Sequence, residues 1–213
     1  MDKKNFYSNM SIYQYPSYIL RHPVDGFNEL KNNNKYSLSI ANIILILWVL
    51  LTVLNWGYID FDFKTKFSDV SLPQVMMTTI LIFSVTIISN WCFTTLMDGK
   101  GRFTEIWISC AYALLPYIIL GYIRIILSFV LVHDEGVFLS YINIAGVLWS
   151  TFLFFLGLSV VHDYSVKKTI ASVFLTIMGD VIVLFFMVLI SGLITQIYSF
   201  VMTVYSEITF RMQ

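Results

Sequence analysis

Apolar residues fall in long, nearly unbroken runs along this chain, and charged residues are gathered into the short stretches between them. Five runs, near 38–59, 72–96, 105–132, 137–161 and 169–190, reach the roughly 20 helical residues that cross about 30 Å of hydrocarbon. Helices are expected rather than an open sheet, because unpaired backbone groups cannot be left in lipid. The connections "MDGKGRF", "VHDEG" and "HDYSVKK" are short, which makes consecutive helices antiparallel neighbours. After the fifth run, "GLITQIYSFVMTVY" either extends that helix beyond the membrane or lies along the interface after a bend at Gly192.

Lysine and arginine set the expected orientation. Lys3, Lys4, Arg21, Lys31, Lys35, Lys100, Arg102, Lys167 and Lys168 fall on one side of such a bundle, and only Lys64, Lys66 and Arg211 on the other. The amino terminus is therefore expected in the cytoplasm and, after five crossings, the carboxyl terminus outside. "RHPVDGFNELKNNNK" then lies on the cytoplasmic side. Pro23 fits the first turn of a helix starting after His22, and Val24, Phe27 and Leu30 are expected to share one face, with Asp25, Asn28 and Lys31 turned to water. Two readings stand side by side: an interfacial helix that docks on the inner leaflet or a partner, and a linker helix packed on the protein's own loops.

The resulting fold class is all-α, a polytopic membrane bundle of five transmembrane helices with a cytoplasmic amphipathic amino-terminal segment. Its expected divisions are 1–37 for that segment, 38–204 for the bundle and 205–213 for an external tail. Composition agrees. The 213 residues are 58% hydrophobic and only 12% charged, whereas a soluble domain carries about 25% charge. Net charge is zero, so nothing points to nucleic acid. Cys92 and Cys110 both fall in apolar runs and read as small hydrophobes rather than a disulfide framework.

Several segments, taken in order, resemble the Yip family of five-helix membrane proteins: "HPVDGF", "DGKGRFTE", "AYALLPY" and "GLSVVHDYSVKKTIASVFLTI". The long cytoplasmic region of many eukaryotic members is missing, so the chain is most similar to the short bacterial branch. That resemblance implies a bacterial cell membrane location. It also implies an association with the permeases of sugar-importing ABC systems, beside which such relatives are often encoded.

Among the residues themselves, Arg124 and Asp180 are the charges set deepest in apolar runs. An unpaired charge there costs at least about 2.5–3.5 kcal/mol, so the two are expected to pair, as a structural clamp rather than a proton relay. Pro116 is expected to kink the third helix. Ser109 with Ala113, and Gly146 with Ser150, have the small-xxx-small spacing that allows close helix packing, either within the bundle or between copies. In "DFDFKTKFSD", Phe61, Phe63 and Phe67 alternate with polar groups, as in a strand or loop that dips into outer headgroups or meets an external partner.

His22, Asp98, Glu105, His162 and Asp163 are expected at one membrane face, but without the spacing of a metal site. The sequence holds no phosphate-cradling glycine loop, serine elbow or zinc-protease helix. The expectation is accordingly a non-enzyme without cofactor or metal, whose partners are membrane lipids and other membrane subunits of an ABC permease type. A stand-alone transporter or channel and a membrane-shaping factor are the alternatives.

Overall fold

Once a helix is long and apolar, its ends are decided by capping and its neighbours by side-chain size. The computed structural model describes residues 15–32, 37–58, 71–131 and 135–211. Phe61, Phe63 and Phe67 lie outside the described residues. Among these residues eight helices follow in order: α1 (Tyr15–Arg21), α2 (Pro23–Asn32), α3 (Leu38–Tyr58), α4 (Leu72–Leu96), α5 (Phe103–Ala113), α6 (Leu115–Ser128), α7 (Gly136–His162) and α8 (Val166–Arg211). Among the described residues, five spans are long and apolar enough to cross a membrane, the third being α5 and α6 taken together. There is no strand among the described residues.

Local chemistry explains the boundaries. The Ser71 N–H donates to Gln74 Oε1 at 2.8 Å, and the Arg102 N–H to Glu105 Oε2 at 2.9 Å, so each side chain satisfies an amide at the start of α4 and α5. At the other ends, Asp98 (φ 55°) and Asp163 (φ 54°) turn the chain left-handed after α4 and α7. The Gly99 N–H reaches back to the Thr94 carbonyl at 2.7 Å and that of Tyr164 to Ser159 at 3.0 Å. This is the Schellman closure, with aspartate in the position that glycine or asparagine more often takes. The third span is broken at Leu114, with Pro116 in the first turn of α6. The Tyr117 N–H, left without a partner one turn back, donates to Ser150 Oγ on α7 at 3.1 Å.

Most of the core sits in the half of the bundle nearest the amino terminus. Tyr15 and Ile19 of α1, Phe27 and Leu30 of α2, Ile40, Ala41 and Ile44 of α3, and Ile106, Ile108 and Cys110 to Ala113 of α5 share one buried cluster with Leu153, Leu158 and Val161 of α7. Helix α3 packs on α4, α5 and α6, α7 packs on α5 and α6, and α8 packs chiefly on α4. This last helix is unlike the others. It runs unbroken for 46 residues, through Gly192 and through the expected tail boundary at 204, yet its buried residues are only Thr169, Ser172, Thr176 and Gly179.

The amino-terminal segment corrects one expectation. Phe27 and Leu30 are buried at 1% and 2% exposure within the protein's own core, whereas Val24 is 49% exposed. The three do not form one docking face. Two steps of three residues rotate about 120° round a helix at roughly 100° per residue, so Val24 and Leu30 point in different directions. The buried side is centred on Gly26, Phe27 and Leu30. A β-carbon built at Gly157 would lie 3.2 Å from the Phe27 ring, which places that ring against α7. Of the two readings of this segment, it is packing on the protein itself that accounts for Phe27 and Leu30.

Candidate functional site

Hydroxyl and amide side chains spaced three or four residues apart line up on facing sides of α4 and α8. On α4 these are Thr86, Ser89, Asn90 and Thr94, and on α8 they are Thr169, Ser172, Thr176 and Asp180. Thr86 Oγ1 lies 3.0 Å from Asp180 Oδ2. Asn90 Nδ2 donates to Thr176 Oγ1 at 3.0 Å, and Asn90 Oδ1 is 3.3 Å from Nε2 of His162, the last residue of α7. Thr94 and Thr176 return their own hydroxyl protons to carbonyls four residues back, at 2.7 and 2.8 Å. The result is a buried polar row that starts at the α7 terminus and ends at Asp180. Asn90 and Ser172 are fully buried, and Ser89, Thr94, His162 and Thr176 are nearly so. Ser89 Oγ, Ser172 Oγ, His162 Nδ1 and Asp180 Oδ1 have no hydrogen-bond partner among the described residues.

The loop between α4 and α5 closes the row at the amino-terminal side. A β-carbon at Gly99 would fall 2.7 Å from both His162 Nδ1 and Tyr164 Oη, and one at Gly101 would fall 2.5 Å from Val161. The two glycines of "DGKGRF" are therefore there for close approach. Tyr164 Oη donates to the carbonyls of Thr94 and Met97 at 3.2 and 3.1 Å, and its ring stacks on His162 with centroids 5.2 Å apart. Burial, and then the negative charge of Asp98, push the Tyr164 phenol above its usual range. Outside this plug, Lys31 Nζ lies 2.7 Å from Asp163 Oδ1 and donates to the Val160 carbonyl at 3.1 Å, and Lys100 Nζ approaches Asp163 Oδ2 at 3.4 Å. Three separate segments thus meet at one aspartate.

The hydrogen bond from Lys31 holds the Asp163 carboxyl below the usual carboxylate range, with smaller help from Lys100. Because the folded value lies below the unfolded one, the pairing stabilises the bundle fully above the unfolded value, about 4, and the gain fades as pH falls through the folded value. Asp163 is half exposed, so the effect is small. Melting temperatures should fall on acidification below about pH 4, and Asp163→Asn should remove that part of the acid response.

A second correction concerns the two deep charges. Arg124 Nη2 donates to Asn55 Oδ1 of α3, and Asp180 is bonded by Thr86 of α4. No ion pair joins Arg124 to Asp180. Geometry gives the reason: at about 1.5 Å per residue, Arg124 lies some 10 Å further along the bundle than Asp180, and each meets a neutral partner at its own level. A double-mutant cycle in detergent should therefore give about 0.5–2 kcal/mol of coupling for Asn55→Ala with Arg124→Met. Arg124→Met with Asp180→Asn should add within about 0.5 kcal/mol.

The small residues face inward. Gly146 approaches Tyr117 and Leu120 of α6, with its built β-carbon 3.4 Å from each. Ser109 and Ala113 are both 1% exposed, and a β-carbon at Gly157 would lie 2.2 Å from Ser109 Oγ. Sequence reasoning missed the polar row, Gly157 and Asn55. The signal for the row was present as matched spacings in the second and fifth runs. Among the described residues, no three His, Cys, Asp or Glu side chains converge.

Such an arrangement, an all-helical bundle with five apolar spans and a buried polar seam, defines a multi-pass membrane protein. Within that class, the family model described as Yip1 domain matches residues 17–190, and the chain belongs to this family. No curated protein and no solved structure matches the chain.

Proposed function

We propose that this chain is a non-catalytic membrane subunit that packs beside a transport complex, such as a sugar-importing ABC transporter, and stabilises or modulates it. The observation that carries the reading is the second half of α8. Every residue from 184 to 211 is exposed, and most of this length lies past residue 190, where the family match ends. Ile190, Ile194, Ile197, Val201, Val204 and Ile208 recur at alternating four- and three-residue spacing. They form an apolar stripe on the side of the helix that Ser172, Thr176 and Gly179 turn towards α4. The opposite side carries Gly192, Gln196, Ser199, Thr203 and Ser206.

A helix of 46 residues is about 69 Å long, more than twice the ~30 Å of hydrocarbon that it has to cross. Bare apolar length of this kind suits contact with another membrane protein. The choice of a transport complex rests on the resemblance to the short bacterial branch. The test is co-purification in mild detergent, comparing the full chain with a chain ending at Ser191. The full chain is expected to carry permease and ATPase subunits in stoichiometric amounts, and the shortened one to lose them. A clean homo-oligomer would overturn the reading.

The polar row favours a second reading, a stand-alone transporter. In that case Asp180→Asn would abolish solute uptake into vesicles holding this chain alone, with its melting temperature unchanged.

A further inference from the structure

About a quarter-turn round α4 from the polar row, α3, α4 and α5 enclose a groove of about 520 Å³, within the range of small-molecule sites. Its walls are apolar, with Trp48, Val49 and Val53 from α3 and Ile80 and Phe83 from α4. Phe83 fixes the two indoles beside it, with centroids 5.9 Å from Trp48 and 5.1 Å, edge-on, from Trp107. The polar side chains are few. Ser84 spends its hydroxyl on the Ile80 carbonyl at 2.8 Å. Asn42 accepts the indole proton of Trp107 at 3.1 Å through Oδ1. That bond orients the amide, so the exposed Nδ2 keeps both protons for an acceptor outside the protein.

Asn42 and Trp107 lie near the first turns of α3 and α5, which both begin at the amino-terminal face of the bundle. From Asn42 to Val53 the groove follows eleven residues of α3, or about 16 Å, through the middle of that span. We propose that this groove is a binding site for one acyl chain of a glycerophospholipid, with the ester carbonyl accepting from Asn42 Nδ2 and the chain running past Trp48 to Val53. The polarity orients the lipid with its ester towards the amino-terminal face, since the free donor of Asn42 stands at that end of the groove and the other end is apolar. This site is independent of the proposed partner, which would meet α8.

Native mass spectrometry of the full chain tests it, after reconstitution into phosphatidylcholine vesicles and re-extraction in detergent. The wild type is expected to retain one phospholipid per chain. Val49→Phe and Ser84→Phe, which fill the groove at separate points, should each bring retention to background. Asn42→Leu should weaken it about fivefold, the worth of one neutral hydrogen bond. Leu148→Phe, on the open face of α7, should change nothing. Lysophosphatidylcholine should compete, and glycerophosphocholine, which has no chain, should not. A wild type that retains no lipid, or retention undiminished in both filled variants, would overturn the assignment.

Discussion

Phe27→Ala is expected to destabilise the isolated chain by about 3–5 kcal/mol, the range for removing a fully buried phenylalanine from a packed site. In a protein of this size, that lowers the apparent melting temperature by on the order of 10 °C. The expectation follows from where the ring sits, with 1% of its surface exposed, beside Gly157 and in one cluster with Tyr15 and Ile19. Val24→Ala on the same helix should fall within about 0.5 kcal/mol of wild type, because that side chain is 49% exposed. The contrast between the two decides between packing and docking. If α2 served a partner, Phe27→Ala would leave the melting of the purified chain unchanged and reduce only partner recovery. Fluorescence-detected size exclusion after graded heating, in one detergent for all three proteins, reads the difference directly.

The spans were legible because length and apolarity are properties of single segments. The second run was expected at 72–96 and α4 is Leu72–Leu96, and the fourth differs from α7 by one residue at each end. What a segment meets is another matter. The expected union of Arg124 and Asp180 assumed that a buried charge needs an opposite charge. Asn55 and Thr86 show that an amide or a hydroxyl at the right height serves instead. The polar row was hidden for a related reason. Threonine and serine can bond the carbonyl four residues back at little cost to the helix, so they pass within an apolar run without announcing a partner. Only the placement of α8 against α4 turns two unremarked spacings into one seam. Spacing alone groups Val24 with Phe27 and Leu30, and the accumulated rotation of the helix separates them.

Spacing also left open whether Ser109 and Ala113 pack within the bundle or between copies, and the contact with Gly157 turns that question into a measurable one. Helix α7 can lie close to α5 because residue 157 has no side chain: a β-carbon there would come 2.2 Å from Ser109 Oγ and 3.2 Å from Phe27. Gly157→Ala should therefore cost about 1–3 kcal/mol as overpacking, despite the better helix propensity of alanine. Ser109→Ala removes the nearest clashing atom and keeps the backbone and β-carbon. It should be nearly neutral alone, since the hydroxyl lies at a crowded contact and not at the centre of a network. Combined with Gly157→Ala, it should restore a large part of the loss, a favourable coupling of about 1 kcal/mol or more between residues in contact. The Phe27 contact accounts for what is not restored. An oligomer face built on Ser109 predicts something else: Gly157→Ala would leave the monomer's melting unchanged, and Ser109→Ala would shift the oligomer distribution. Melting of all four proteins, read beside their masses in detergent, separates the two, and the inward packing of Ser109 requires rescue without any change of mass.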